Sequence, residues 1–243
     1  MGADHARVVT ARRPKWRAYL LLSRISNLPT VWSNVLAGTV AAHGTVAWRE
    51  VAAVSVAVSV LYTAGMFLND AFDYASDAAR RPDRPLPAGD VSRAEAFGIG
   101  FALLAAGDLW LALTESSATG LWALALTAAI LYYNWRHKRD PLGPLVMGAC
   151  RGLVYCVAGA AAAATFAPPL ATAAILVTVY VVALTFVAKN AGPRAGWLIP
   201  LLIAGISLLD AGVILANGGG GLSIVAAAGF VLTLLLQRVV PGT

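Results

Sequence analysis

The chain has 243 residues, 59% of them hydrophobic and only 12% charged, with a mean hydropathy of +0.72 and a formal net charge of +6. Roughly a quarter of the residues of a soluble domain are charged, so this composition excludes a water-soluble globule and points to a bilayer as solvent. The basic residues stand in short stretches between long apolar runs, which argues against nucleic acid as their partner and leaves anionic lipid headgroups to account for some of them.

In chain order, Arg7, Arg12, Arg13, Lys15 and Arg17 precede the first apolar run. A secretory signal is disfavoured, because that run contains Asn27, Pro29 and Asn34 and no small-residue cleavage site ends it. Residues 1–25 are therefore expected to form a basic cytoplasmic or interfacial segment, with Trp16 to Leu22 at the membrane surface, and residues 26–243 a single transmembrane helical domain. Apolar runs near 26–43, 51–68, 95–113, 118–134, 145–166, 169–187, 196–215 and 221–237 reach or approach the length needed to cross hydrocarbon as a helix. None alternates as a barrel strand does. The expected fold is all-α, a polytopic bundle of about eight spans.

With the amino terminus placed in the cytoplasm, 16 of the 18 Lys and Arg residues fall on that side: six up to Arg24, four in 80–93, three in 136–139, two in 189–194 and Arg238. Arg49 alone lies in an outer loop and Arg151 lies within helix five, so the positive-inside rule is satisfied. The expectation is an integral protein of the cell inner membrane with both termini cytoplasmic. Cys150 and Cys156 read as packing residues, and His5, His43 and His137 are scattered without ligand partners in sequence.

The segment 69–89 carries the chemistry. Asn69, Asp70, Asp73 and Asp77 fall within an arc of about 100° on one helical face. Like charges at this spacing repel, and acidic groups at membrane depth are costly, so a cation is needed to offset them. Oxygen donors without His or Cys suit Mg²⁺, which commonly bridges one or two carboxylates to phosphate oxygens. Arg80, Arg81 and Arg84 follow directly, and guanidinium forks match phosphate geometry. The alternative, an acidic helix end balanced by arginine, fits poorly at the close of a hydrophobic span.

Asn69 to Asp77 matches the NDxxDxxxD motif of the UbiA superfamily of intramembrane aromatic prenyltransferases, and Arg80 to Gly89 resembles the arginine-proline segment that follows it. Asn27 to Gly38 is similar to the first helix of that family, Tyr132 to Lys138 to its helix-four exit, and Pro144 to Gly152 to the start of its helix five. The resemblance implies a bundle around a central cavity, with Mg²⁺ on Asp70, Asp73 and Asp77 and an isoprenoid diphosphate at the cytoplasmic cap. Asn69, Asn34, Arg80, Arg84 and Lys138 become candidates to hold the diphosphate, and Arg151 to reach it from helix five. Tyr132 and Tyr133 are candidates to stabilise a carbocation, or members of an interfacial aromatic belt.

Two departures qualify the resemblance. The family usually carries a second Asp-rich motif after helix six, where this chain has Thr185 to Arg194 without a carboxylate. Lys189, Asn190 and Arg194 are then candidates to replace that metal site with direct diphosphate contacts, or are ordinary positive-inside charge. The family also has nine spans against the eight expected here. Asp108 and Asp210, far from the cap, read either as hydrogen-bonding glue between helices or as the far end of the tunnel. Three functions compete: prenyl transfer to a lipophilic, aromatic acceptor, a membrane terpene cyclase that quenches the cation internally, and a lipid carrier without catalysis.

Overall fold

In hydrocarbon the backbone finds no water to bond, so each apolar run must satisfy its own N–H and C=O groups by coiling into a helix. The computed structural model describes residues 13–43, 46–138, 140–163, 166–190, 192 and 196–242, and among these there is no strand. A short helix α1 (Lys15–Ser23) and a 3₁₀ turn (Ile25–Asn27) lead into α2 (Leu28–His43). The chain continues through α3 (Trp48–Arg80), α4 (Arg93–Thr114), α5 (Ser117–Arg136) and α6 (Gly143–Ala162). It ends with α7 (Pro168–Asn190), α8 (Leu198–Ala216) and α9 (Leu222–Gln237). Helices α2 to α9 coincide one for one with the apolar runs of the sequence. Five of them, α3, α4, α6, α7 and α8, are each long and apolar enough to cross a membrane.

Helix α3 runs past the apolar run at 51–68, as the shared helical face of Asn69 to Asp77 requires. Its 33 residues rise roughly 50 Å, against about 30 Å of hydrocarbon. It carries the acidic face beyond the apolar stretch to Arg80, and Pro82 prevents further helix. The predicted interfacial segment is α1. Its Ala18 and Leu22 pack with Phe67, Ala71, Leu86 and Val91 in a small core apart from the main one. Lys15 Nζ pairs with Glu95 at 3.0 Å, the Tyr19 hydroxyl donates to the same carboxylate, and Arg13 Nη1 pairs with the buried Asp90 at 3.3 Å. Arg24 ends α1 in the left-handed region (φ 45°, ψ 43°), which turns the chain sharply into the bundle. A non-glycine residue there costs about 1–2 kcal/mol.

Helix α2 packs against α6 and α8, and α6 against α5 and α7. Close approach depends on small residues: a Cβ on Gly148 would stand 2.6 Å from the Thr178 carbonyl oxygen, and one on Gly38 2.9 Å from that of Tyr155. Of the two membrane-embedded acids, Asp108 accepts from Thr127 at 3.1 Å between α4 and α5, while Asp210 accepts from Ser33, Asn34 and Tyr155 and ties α8 to α2 and α6. Neither lines the central cavity.

Because the Thr178 carbonyl cannot move without breaking α7, Gly148→Ala is expected to destabilise the bundle by about 1–3 kcal/mol, the usual cost of overpacking. Thermal unfolding of the detergent-solubilised protein, compared with Gly98→Ala, where nothing lies within 4 Å of the new methyl group, checks this.

Candidate active site at the capped end of the cavity

The α3 carboxylates share one face, and each meets a cation from another element. Asp70 Oδ1 accepts from Arg24 Nη2 at 2.8 Å and from Arg84 Nη1 at 3.5 Å. Arg84, in the proline-rich loop after α3, also pairs with Asp77 Oδ2 at 2.9 Å. Asp73 faces the α5 exit, where Lys138 Nζ stands 2.6 Å and His137 Nε2 3.5 Å from its oxygens. Asn69 donates to Asn134 Oδ1 at 3.1 Å, and Asn134 donates onward to the Gly65 carbonyl, so two buried amides lock α3 to α5 beneath the carboxylates.

These groups surround the mouth of a cavity of about 510 Å³. Asn69, Asp73, Asp77, Arg24, Arg80, Arg84 and Lys138 line it near the cap, and Val31, Val58, Leu126, Ile130, Val154 and Ile206 form apolar wall below. The ends that meet here are the carboxyl ends of α3, α5 and α7 and the amino ends of α2, α6 and α8, as expected of alternating spans. Asp70 itself stands behind the lining, 6% exposed, between its two arginines.

Several expected residues lie elsewhere. Tyr132 is on the outer face of α5 and donates to Asp140 in the following loop; its neighbour Tyr133 lines the cavity and stacks on His137. One residue on a helix turns the ring by about 100°, which is why the adjacent tyrosines part. The Tyr132 hydroxyl, with the Leu142 N–H, holds the Asp140 carboxyl below its ordinary range. Asn34 is fully buried outside the lining, bonded to Arg151 and Asp210 rather than open to a ligand. Lys189 and Asn190 are exposed at the end of α7, where Asn190 donates to the Phe186 carbonyl, and the cavity is lined instead by Thr185 and Ala188. Arg194 lies outside the described residues.

Sequence reasoning passed over Arg24, Tyr62, Asn134 and His137, all of which line the cavity. Arg24 looked like one more positive-inside charge; its sign as a site residue is the left-handed backbone that aims it at Asp70.

Among the described residues no three His, Cys, Asp or Glu side chains gather closely enough to cage a metal. Asp73, Asp77 and the Asn69 amide nevertheless present oxygen donors to one cavity beside several guanidinium groups. Such a set fits an ion that takes one or two carboxylates and completes its shell with water and phosphate oxygens, as Mg²⁺ does.

A polytopic helical membrane protein with an acidic and basic mouth over an apolar cavity is the class that the fold and site define. The UbiA prenyltransferase family model matches residues 27–240, and the chain belongs to that family. Digeranylgeranylglyceryl phosphate synthase of Ignicoccus hospitalis is 41% identical over 120 residues, 49% of this chain and 38% of that protein. The 4-hydroxybenzoate octaprenyltransferase of Polaromonas sp. is 32% identical over 144 residues, 56% of this chain and 49% of that protein. The chain thus spans about half or less of the length of these curated relatives. A solved structure of digeranylgeranylglyceryl phosphate synthase in membranes superposes with a TM-score of 0.64 at 19% identity, covering 92% of this chain and 88% of that one. A UbiA homolog from Archaeoglobus fulgidus superposes with a TM-score of 0.59 at 14% identity, covering 91% and 86%. At these identities the structural matches establish the fold.

Tyr132→Phe is expected to leave the affinity of the mouth for pyrophosphate, used as a probe, within about twofold of the parent, because the ring lies outside the cavity lining. Lys189→Ala is expected to change it by less than about fivefold, the scale of a charge that only attracts headgroups. Calorimetric titration of the detergent-solubilised protein with pyrophosphate checks both.

Proposed function

We propose that this protein is an intramembrane prenyltransferase that moves the chain of an allylic isoprenoid diphosphate to a lipophilic acceptor and releases pyrophosphate, with its mouth on the cytoplasmic side of the cell inner membrane. The observation that supports this is the placement of Asp73, Asp77, Arg84 and Lys138 over a long apolar cavity. The cationic groups suit a diphosphate and the walls suit an isoprenoid tail.

In this reading Arg84, Arg80 and Lys138 bind the diphosphate oxygens and stabilise the negative charge that grows as the C1–O bond breaks and its electron pair leaves with pyrophosphate. Arg24, anchored on Asp70, presents a further guanidinium. Asp73 and Asp77 would hold Mg²⁺, which supplies Lewis-acid stabilisation of the same leaving group. The dry wall below excludes water from the allylic cation, and Tyr133 offers it a π face. The acceptor nucleophile then bonds to C1 and gives up its proton to the released diphosphate.

Asp73→Ala is expected to lower Mg²⁺-dependent pyrophosphate release by about 10²-fold or more, the cost of removing a major transition-state stabiliser. The assay uses full-length protein with geranyl, farnesyl and geranylgeranyl diphosphates, with and without lipid extract, and identifies products by mass. A prenylated product that requires extract supports transfer. A cyclic hydrocarbon formed without extract would instead make it a cyclase, and diphosphate binding without cleavage a carrier.

A further inference from the structure

At the α5 exit the mouth holds a nitrogen donor beside the carboxylates. The His137 side chain lines the cavity, and two contacts fix its ring. It stacks on Tyr133 with ring centroids 4.7 Å apart at 18°, and its Nδ1 stands 3.0 Å from the Tyr133 carbonyl oxygen. A carbonyl oxygen only accepts, so Nδ1 carries the hydrogen and donates it, and Nε2 is the atom turned toward Asp73. A backbone carbonyl on the far nitrogen is a common way to set the tautomer and orientation of a metal-binding imidazole.

The distances at Asp73 divide its two oxygens. Lys138 Nζ holds Oδ1 at 2.6 Å, so the imidazole is not needed as a counter-charge. Oδ2 lies 3.5 Å from His137 Nε2, and the two side chains are only 12% and 13% exposed. That gap is longer than a charge-assisted hydrogen bond of about 2.7–2.9 Å. It fits the span of about 3.0–3.5 Å between two ligand atoms that each sit about 2.1 Å from one ion, at bond angles of about 90–110°.

Deepening the prenyl-transfer reading, and resting on it, we infer that His137 is a metal ligand alongside Asp73, and that this mixed nitrogen–oxygen station takes a divalent transition ion such as Zn²⁺ or Co²⁺ in preference to Mg²⁺. Imidazole suits the later first-row ions, whereas Mg²⁺ favours oxygen alone. Among the described residues no third His, Cys, Asp or Glu closes on the pair, which leaves the rest of the shell to water and diphosphate oxygens. A shell left open in this way is the mark of an ion that meets substrate rather than one that staples a fold. An imidazole also adds a donor without adding negative charge. The ion therefore keeps more of its pull on the departing pyrophosphate than a further carboxylate would leave it.

The test uses the full chain in nanodiscs with His5 and His43 replaced by Gln, which leaves His137 as the one histidine. X-ray absorption at the zinc edge of the Zn²⁺-loaded protein is expected to show imidazole scattering, and calorimetry to show tighter binding of Zn²⁺ than of Mg²⁺. His137→Gln in that background is expected to cut the ratio of Zn²⁺ to Mg²⁺ affinity about 10-fold or more, the scale of losing a group that sets a metal site. Metal-free affinity for pyrophosphate, used as a probe, is expected to stay within about threefold. Zinc held by oxygen or sulfur alone, or an unchanged affinity ratio in His137→Gln, would overturn the assignment. So would a metal-free pyrophosphate affinity that falls as far as the ratio, because the ring would then be a phosphate contact. The scattering measurement needs no substitution at 137 to fold. Prenyl transfer fails separately, by absence of pyrophosphate release from the parent with lipid extract under either ion.

Discussion

Charge compensation at the edge of the hydrocarbon is the constraint on which this structure turns. Three carboxylates on about two turns of α3 repel each other and are costly to desolvate, so the fold must bring cations to them from elsewhere in the chain. It does so from three directions: Arg24 from the amino-terminal strap, Arg84 from the loop after α3, and Lys138 with His137 from the exit of α5. The convergence of these segments defines the mouth of the cavity.

The short α1 has a place in that arrangement beyond covering the bundle. The Arg13–Asp90 pair just before it, its own Lys15–Glu95 pair and its small separate core hold it across the start of α4, and the left-handed Arg24 at its end spends conformational energy to aim a guanidinium at Asp70. A strained backbone residue persists where its surroundings over-determine it, and here those surroundings are the site.

Deeper in, two groups of polar side chains are held by hydrogen bonds between helices. Asn69 and Asn134 satisfy one another and a carbonyl, and Asp210 gathers four donor contacts from α2 and α6. The two amides join the helices that carry the mouth. The Asp210 group joins α8 to the helices that carry Asn34 and Arg151, the latter lining the same cavity.

The sequence by itself determined the helical fold, the order of the helices, the shared face of Asn69, Asp70, Asp73 and Asp77, and the family whose motif that face matches. Those features are local: they follow from hydropathy over about 20 residues, from helical periodicity and from charge asymmetry. Tertiary structure alone decided which neighbours meet. That Tyr133 and not Tyr132 enters the cavity depends on the rotation of α5 against its partners. That Asn34 serves Arg151 and Asp210, and that Lys189 and Asn190 stay at the exposed end of α7, depends on how α2, α6, α7 and α8 pack. Arg24 was indistinguishable from its basic neighbours until a left-handed turn pointed it inward, because periodicity states where a side chain sits on its own helix and nothing about the helix that faces it.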